Sequence, residues 1–171
     1  MVSRRDILRG RMQPQQAEPR PPWALSEEAF IERCTACDAC IEVCPESILL
    51  RGDGGFPRIS FSRAGCTFCG DCLAACEPGA LNRVDEARRE FPFYARINDA
   101  CVNLEGVVCR SCDDVCEQDA LHFSPQIGGR YAVSLDREKC NGCGECLHLC
   151  PVKAIGMVRM NSNSLEAAAN G

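Results

Sequence analysis

Sixteen cysteines in four groups of four constrain this chain more than any other feature. They make up about 9% of its 171 residues, a level typical of disulfide scaffolds or metal sites. The groups recur roughly every 30 to 40 residues, which is the pattern of an internal repeat, and no cysteine lies outside them. The groups are Cys34, Cys37, Cys40 and Cys44; Cys66, Cys69, Cys72 and Cys76; Cys101, Cys109, Cys112 and Cys116; and Cys140, Cys143, Cys146 and Cys150.

The spacing in groups one, two and four, C-x2-C-x2-C-x3-C, is a ligand run of bacterial iron–sulfur proteins. Cysteines three residues apart advance about 300° around a helix, so the first three cannot share one helical face. They can bind one object if the backbone wraps around it as a loop, and a [4Fe–4S] cluster is such an object. The last two cysteines, four residues apart, share a face if a helix begins there. We therefore expect a short helix from Cys72 to Cys76, shared between two clusters.

Two other roles of clustered cysteines fit the sequence less well. A framework of eight disulfides needs an oxidising compartment, and we expect no secretion signal here. Tetrahedral zinc usually takes separated C-x2-C pairs rather than thiolates clustered in fours. Four [4Fe–4S] clusters are therefore the expected cofactors, and they would bring the formal charge from −5 to about −13.

The third group departs from the common spacing, because seven residues, 102–108, separate Cys101 from Cys109. A longer loop can still bring the Cys101 thiolate to a cluster, and no spare cysteine competes for that place. We expect Cys101 to be a ligand. The alternative is a cluster with an open or labile iron.

Five segments are predicted along the chain. They are a flexible basic arm (1–25), a first two-cluster domain (26–84), a linker (85–98), a second two-cluster domain (99–160) and a disordered tail (161–171). Ser26 is a helix N-cap candidate followed by acidic residues in the first turn. Alternating apolar residues on either side of Gly-rich turns predict one β-hairpin in each domain, at 48–61 and 121–135. Because each domain has only about 50 to 60 residues, we expect folding to depend on metal binding.

Residues 34–81 and 101–155 each resemble a bacterial two-cluster ferredoxin, in which a β-hairpin and two short helices surround two clusters. The implied fold class is α+β, with two tandem bacterial-ferredoxin-like domains and a flexible N-terminal arm. A nested arrangement, pairing group one with group four and group two with group three, remains the alternative to the tandem one. The tandem resemblance implies four ligand sets: Cys34, Cys37, Cys40 and Cys76; Cys66, Cys69, Cys72 and Cys44; Cys101, Cys109, Cys112 and Cys150; and Cys140, Cys143, Cys146 and Cys116.

Almost the whole chain, residues 3–156, resembles the NapF family of ferredoxin-type proteins encoded with periplasmic nitrate reductases. The resemblance rests on Ser3-Arg4-Arg5-Asp6-Ile7-Leu8-Arg9, on Pro21-Pro22-Trp23-Ala24 and on Val108-Cys109-Arg110-Ser111-Cys112. It implies a cytoplasmic four-cluster protein that is not an enzyme. Its implied partner is the molybdenum-containing catalytic subunit, whose iron–sulfur cluster it would help to insert or reduce before export. The alternative is an electron carrier between other redox partners.

The remaining features predict no further metal or catalytic site, and the basic arm is expected to be a solvated tail, with a docking element for a partner as the alternative. Ser3–Arg9 looks like a twin-arginine export motif, but the residues that follow are polar rather than an apolar stretch, so we expect retention in the cytoplasm. The acidic balance (pI about 5.1) argues against nucleic-acid binding, and no apolar run is long enough for a membrane span. His122 and His148 are expected to be surface or hydrogen-bonded residues rather than ligands. Gly52–Gly55 is expected to be a hairpin turn, without the Lys-Ser/Thr of a phosphate-binding loop.

Overall fold

The computed structural model describes residues 19–83 and 91–160 as short helices and two-stranded sheets around the cysteine groups. Four helices are present in these residues: α1 (Glu27–Arg33), α2 (Ala39–Glu42), α3 (Asp71–Ala74) and α4 (Glu145–His148). Six strands accompany them: β1 (Leu49–Arg51), β2 (Pro57–Ile59), β3 (Phe93–Ile97), β4 (Leu121–Pro125), β5 (Tyr131–Leu135) and β6 (Ile155–Arg159). All three sheets are antiparallel pairs, β1–β2, β3–β6 and β4–β5. The chain is thus a mixed α/β protein of small elements.

Helix α1 forms where its capping residues predict it. The Ser26 side chain accepts a hydrogen bond from the N–H of Ala29 at 3.4 Å, and Glu27 and Glu28 occupy the first turn, where the helix dipole favours acids. Phe30 is fully buried, which fixes the face that the helix turns inward. The N–H of Cys34 donates to the carbonyl of Phe30 at 2.8 Å, so the helix ends at the first cysteine.

Both predicted hairpins are confirmed. In the first, β1 pairs with β2 across a 3-10 turn at Asp53–Gly55; in the second, β4 pairs with β5 with Leu121 opposite Leu135. The helix expected from Cys72 to Cys76 is present but ends earlier: α3 covers Asp71–Ala74.

Each half closes by pairing its beginning with its end, and this corrects two predicted boundaries. In the second half β3 pairs with β6, so residues 93–97 are a strand and not part of a linker. In the first half Ala24 forms a β-bridge with Leu81, and the N–H of Leu25 donates to the carbonyl of Ala80. The N–H of Ile59 also donates to the carbonyl of Pro19, and Pro21, Pro22 and Trp23 are buried. Residues 19–25 therefore belong to the first folded half and not to a flexible arm. The rest of the arm (1–18), most of the linker (84–90) and the tail (161–171) lie outside the described residues.

An aromatic cluster joins the two halves. The ring of Phe61 lies edge-on to Phe91 at 5.9 Å, and Phe91 lies 4.6 Å from Phe93 between centroids. Phe91 and Phe93 pack into the larger apolar core of the first half although β3 pairs within the second. The second half has a small core of its own, built from Ala95, Ala120, Cys140 and Ile155.

Candidate metal centres

The sixteen cysteines are all free thiols, and the structure gathers them into quartets. Cys34, Cys37 and Cys40 line one space together with Cys76, a late cysteine of group two. Cys44 of group one lines another space with the first three cysteines of group two, and Cys116 of group three lines a third with the first three of group four. Cys112 and Cys150 pack against the same small core. These neighbours are the ones that the tandem arrangement predicts. We call the four sets quartet 1 (Cys34, Cys37, Cys40, Cys76), quartet 2 (Cys44, Cys66, Cys69, Cys72), quartet 3 (Cys101, Cys109, Cys112, Cys150) and quartet 4 (Cys116, Cys140, Cys143, Cys146).

Three of the quartets line cavities. Quartets 1, 2 and 4 each line a small cavity of about 20 Å³. In the described part of the chain, no three His, Cys, Asp or Glu side chains converge as closely as a single metal ion requires.

Burial makes the innermost thiols weak acids. It raises the pKa of Cys40, Cys66 and Cys112 to about 11, and the charges of neighbouring cysteines contribute to the shift. For Cys72 and Cys146, burial raises the pKa to about 12. Without metal these thiols are therefore protonated at neutral pH, and metal binding must displace their protons. Thiolates held together around one partly buried space need positive charge there to be stable.

The loops between the first three cysteines curl in the same way in groups one, two and four. In each, the residues directly before and after the second cysteine have a positive φ. Successive N–H groups around such left-handed residues form concave nests that bind anions and iron–sulfur centres. Non-glycine residues persist in this conformation only where the surroundings impose it. The residues are Ala36 (53°) and Asp38 (66°); Phe68 (53°) and Gly70 (86°); and Gly142 (77°) and Gly144 (80°).

A second repeated turn follows the fourth cysteine of every group. The third residue after that cysteine has a positive φ, and its N–H donates to the cysteine's carbonyl at 3.0–3.2 Å. In three groups a backbone N–H also donates to the fourth cysteine's sulfur: Leu81 to Cys76, Ala120 to Cys116 and Ala154 to Cys150. Such bonds stabilise a thiolate. The left-handed residues are Ser47, Gly79, Asp119 and Lys153.

The indole of Trp23 adds an unpaired donor beside quartet 2. Trp23 lines the cavity of this quartet, and its buried Nε1–H has no hydrogen-bond partner within the described residues. A sulfur-rich group in the cavity would supply acceptors. Together with the nests and the thiol-lined cavities, this fits a [4Fe–4S] cluster. The sequence drew attention to Trp23 only through a family resemblance, and its place beside a cavity has no local sequence signal.

The long third group is held by a side chain that the sequence did not single out. Asn103 lies in a 3-10 turn, Val102–Glu105, and is only 2% exposed. Its Nδ2 donates to the carbonyl of Cys109 at 2.6 Å, and its Oδ1 accepts from the N–H of Cys109 at 3.1 Å. The same Nδ2 lies 3.9 Å from the sulfur of Cys101. Asn103 thus connects the two cysteines that the insertion separates.

Replacing Asn103 is expected to weaken quartet 3. In Asn103→Asp the carboxylate can still accept from Cys109, but it loses both donor contacts and adds a negative charge beside the thiols. Leaving the buried carbonyl of Cys109 without its donor should cost about 1–3 kcal/mol. We expect faster loss of iron to a chelator, confined to about a quarter of the total. Asn98→Asp is the matched control, since Asn98 is exposed and its side chain accepts only from Ala100. Equal iron loss from both variants would contradict this role.

The two histidines do not join a quartet. His122 lies exposed on β4. His148 is 18% exposed at the end of α4, with Nε2 3.6 Å from a carboxylate oxygen of Glu145. Its Nδ1 is buried without a hydrogen-bond partner, so it is not the surface or hydrogen-bonded residue expected from the sequence.

Comparison with known proteins identifies iron–sulfur domains in the chain. Residues 107–154 match the family model of a 4Fe-4S dicluster domain, and residues 34–48 match that of a 4Fe-4S binding domain. The chain is 42% identical to ferredoxin-type protein NapF of Escherichia coli (strain K12), over 90% of this chain and 93% of that protein. It is 36% identical to NapF of Haemophilus influenzae over 84% of this chain and 81% of that one. It is 31% identical to the methylamine utilization ferredoxin-type protein MauM of Methylobacillus flagellatus, over 96% of this chain and 77% of that protein. The chain therefore belongs to the NapF family of ferredoxin-type iron–sulfur proteins.

Proposed function

We propose that the chain holds four [4Fe–4S] clusters, one in each quartet, within two tandem bacterial-ferredoxin-like halves. The observation that carries this proposal is that four free thiols line each of three cavities, with left-handed turns repeated in the cysteine groups. The two halves would span about 19–83 and 91–160, with the basic arm before them and the polar tail after them.

When bound, clusters of this kind exchange single electrons. The chain's own residues hold the clusters and set their surroundings. The thiolates bind iron, the backbone N–H groups of the nests and turns stabilise the negative charge of the sulfurs, and the apolar cores exclude water. Cys37 of quartet 1 and Cys69 of quartet 2 are exposed, so a redox partner can approach these two sites closely. No side-chain arrangement for bond-making catalysis was found in the sequence, and we propose that the protein is not an enzyme.

The proposed role is support of the molybdenum-containing catalytic subunit of periplasmic nitrate reductase in the cytoplasm. The chain would bind that subunit before its export and help to insert or reduce its iron–sulfur cluster. Kinship with NapF over 93% of the E. coli protein supports this assignment. None of the helices in the described residues is both long and apolar enough to cross a bilayer.

Electron relay between other redox partners is the second candidate. It is favoured by a direct contact between quartets 2 and 4, where the N–H of Cys66 donates to the carbonyl of Cys143 at 2.7 Å. A maturation factor that handles clusters one at a time does not need this contact, whereas a relay does.

Deletion of the protein should separate the two roles. In a host that makes periplasmic nitrate reductase, we expect the exported enzyme of the deletion strain to lack its iron–sulfur cluster. The wild-type chain should restore it, and a Cys37→Ala variant should do so less well, because quartet 1 loses a ligand. The measurement is iron content and paramagnetic resonance of the enzyme purified from the periplasm.

The other outcomes are also decisive. An exported enzyme with a complete but poorly reduced cluster would favour the electron carrier. A complete and normally reduced cluster would contradict both roles. As a second test, the tagged chain should recover the unexported catalytic subunit from cytoplasmic extract, and failure to recover it would count against maturation.

A further inference from the structure

Two backbone hydrogen bonds join the first half to the second at their metal sites. The N–H of Cys66, in quartet 2, donates to the carbonyl of Cys143, in quartet 4, at 2.7 Å. The N–H of the preceding residue, Gly65, donates to a carboxylate oxygen of Glu145 at 2.8 Å. Two adjacent backbone N–H groups of the first half therefore find their hydrogen-bond acceptors in the loop of the second half that carries Cys143.

The contact leaves no room for side chains. A Cβ on Gly65 would lie 2.7 Å from the backbone N and 2.8 Å from the Cα of Glu145, which is closer than real Cβ atoms approach. A Cβ on Gly144 would overlap the ring of Phe61, across the same boundary. Because the obstacle at Gly65 is backbone, it cannot be relieved by a change of rotamer.

The second cysteine of group four differs from its counterparts in groups one and two. Cys37 and Cys69 are exposed, whereas Cys143 is half-buried by the first half of the chain. Cys143 lines one open space together with Cys66 and Thr67 of the first half. The face of a ligand loop that meets solvent in the first half thus meets another metal site in the second.

Contacts within each half complete a linear series. Helix α2, which carries Cys40, packs against α3, which carries Cys72, so quartets 1 and 2 are neighbours. Cys112 and Cys146 pack against the same small core of the second half, so quartets 3 and 4 are neighbours. With the contact of Cys66 and Cys143 between them, the order of the sites is 1, 2, 4 and 3, and it differs from the order of the groups along the chain.

We propose that Gly65–Cys66 and Cys143–Glu145 form an inter-half junction through which electrons pass between quartets 2 and 4, with quartets 1 and 3 at the two ends. The inference rests on the proposed four-cluster loading. Each passage moves one electron: the site on one side of the junction is oxidised by one unit and the site on the other side is reduced by one. No bond forms or breaks and no proton moves. The electron comes from a low-potential one-electron donor, such as another reduced iron–sulfur protein or flavoprotein, that docks at an exposed site.

The junction can be opened at Gly65 without touching a ligand. Gly65→Ala and Gly65→Val place one and three carbons against the Glu145 backbone and should push the halves apart by increasing amounts. Gly156→Ala and Gly156→Val are the matched controls, because a Cβ at Gly156 in β6 meets nothing within 4 Å. The full chain is prepared without oxygen, and its iron is quantified. It is then fully reduced with a europium(II) chelate and examined by paramagnetic resonance.

We expect the wild-type chain and both Gly156 variants to show spectra broadened by spin coupling along the series of four sites. The part of the broadening that comes from quartets 2 and 4 should fall in Gly65→Ala and be lost in Gly65→Val, at unchanged iron content. If Gly65→Val does not fold, Gly65→Ala decides. Broadening equal to that of the Gly156 variants would overturn the junction. A wild-type chain with far fewer than about sixteen irons would instead overturn the proposed cluster loading, so the two failures are distinguishable.

Discussion

Complete removal of iron is expected to unfold most of the chain. Every sheet in the described residues has only two strands, and three of the four helices have four residues. Isolated two-stranded hairpins and single helical turns are marginal at best in water. The loops that lead into two of these short helices hold the left-handed residues Ala36 and Phe68, which need an imposed conformation. Metal binding is therefore expected to supply most of the folding free energy.

The second half should unfold more readily than the first once iron is lost. Its own buried core consists of Ala95, Ala120, Cys140 and Ile155, and one of these is a proposed ligand. The first half retains a larger core with Phe30, Ile48 and Ile59. Stabilisation rises with the apolar area that is buried. We therefore expect residual structure in the iron-free chain to be confined to the first half, which has the larger core.

Circular dichroism and fluorescence measure this directly. We expect the iron-free chain to lose most of its ordered signal and its cooperative melting, and reconstitution with iron and sulfide to restore both. Trp23 is the single tryptophan and lines the cavity of quartet 2, so its emission should rise when iron leaves that site. A native-like spectrum with a cooperative transition after complete iron removal would contradict the expectation.

Local patterns in the sequence were sufficient for the elements that depend on neighbouring residues. The cap at Ser26 predicted α1, and alternation around the glycine-rich turns predicted β1–β2 and β4–β5. The spacing of cysteines predicted loops that wrap around a common object, and the left-handed residues of three groups have the corresponding conformation.

The elements that were missed depend on residues far apart in the chain. Strand β3 follows a charged run and finds its partner β6 nearly sixty residues later, so the sequence interpretation stopped at the charges and placed 85–98 in a linker. The alternation of Phe93, Ala95 and Ile97 was the available signal, with the first two buried. The hydrogen bonds of Asn103 with Cys109 and of Gly65 with Glu145 leave no periodic pattern in the sequence, because each depends on how two loops meet in three dimensions.

The pairing of ligands between groups can be decided by counting intact clusters in double variants. In the tandem arrangement Cys37 and Cys76 serve the same cluster, whereas in the nested arrangement the cluster of Cys37 takes Cys150. Cys76 and Cys150 are well matched, since each sulfur accepts a backbone N–H, from Leu81 at 3.3 Å and from Ala154 at 3.2 Å. Any general cost of removing a fourth cysteine should therefore be similar at the two positions.

We expect Cys37→Ala, Cys76→Ala and Cys150→Ala each to cost one intact four-iron site, measured by spin quantitation after anaerobic reduction. The Cys37→Ala/Cys76→Ala chain should lose no more than either single variant, because both changes affect quartet 1. The Cys37→Ala/Cys150→Ala chain should lose two sites, or about eight irons of about sixteen. Non-additivity in a double-mutant cycle identifies residues that share one site. The reverse result, additive loss with Cys76 and a single loss with Cys150, would establish the nested pairing. It would also contradict the ordering of sites on which the inter-half junction depends.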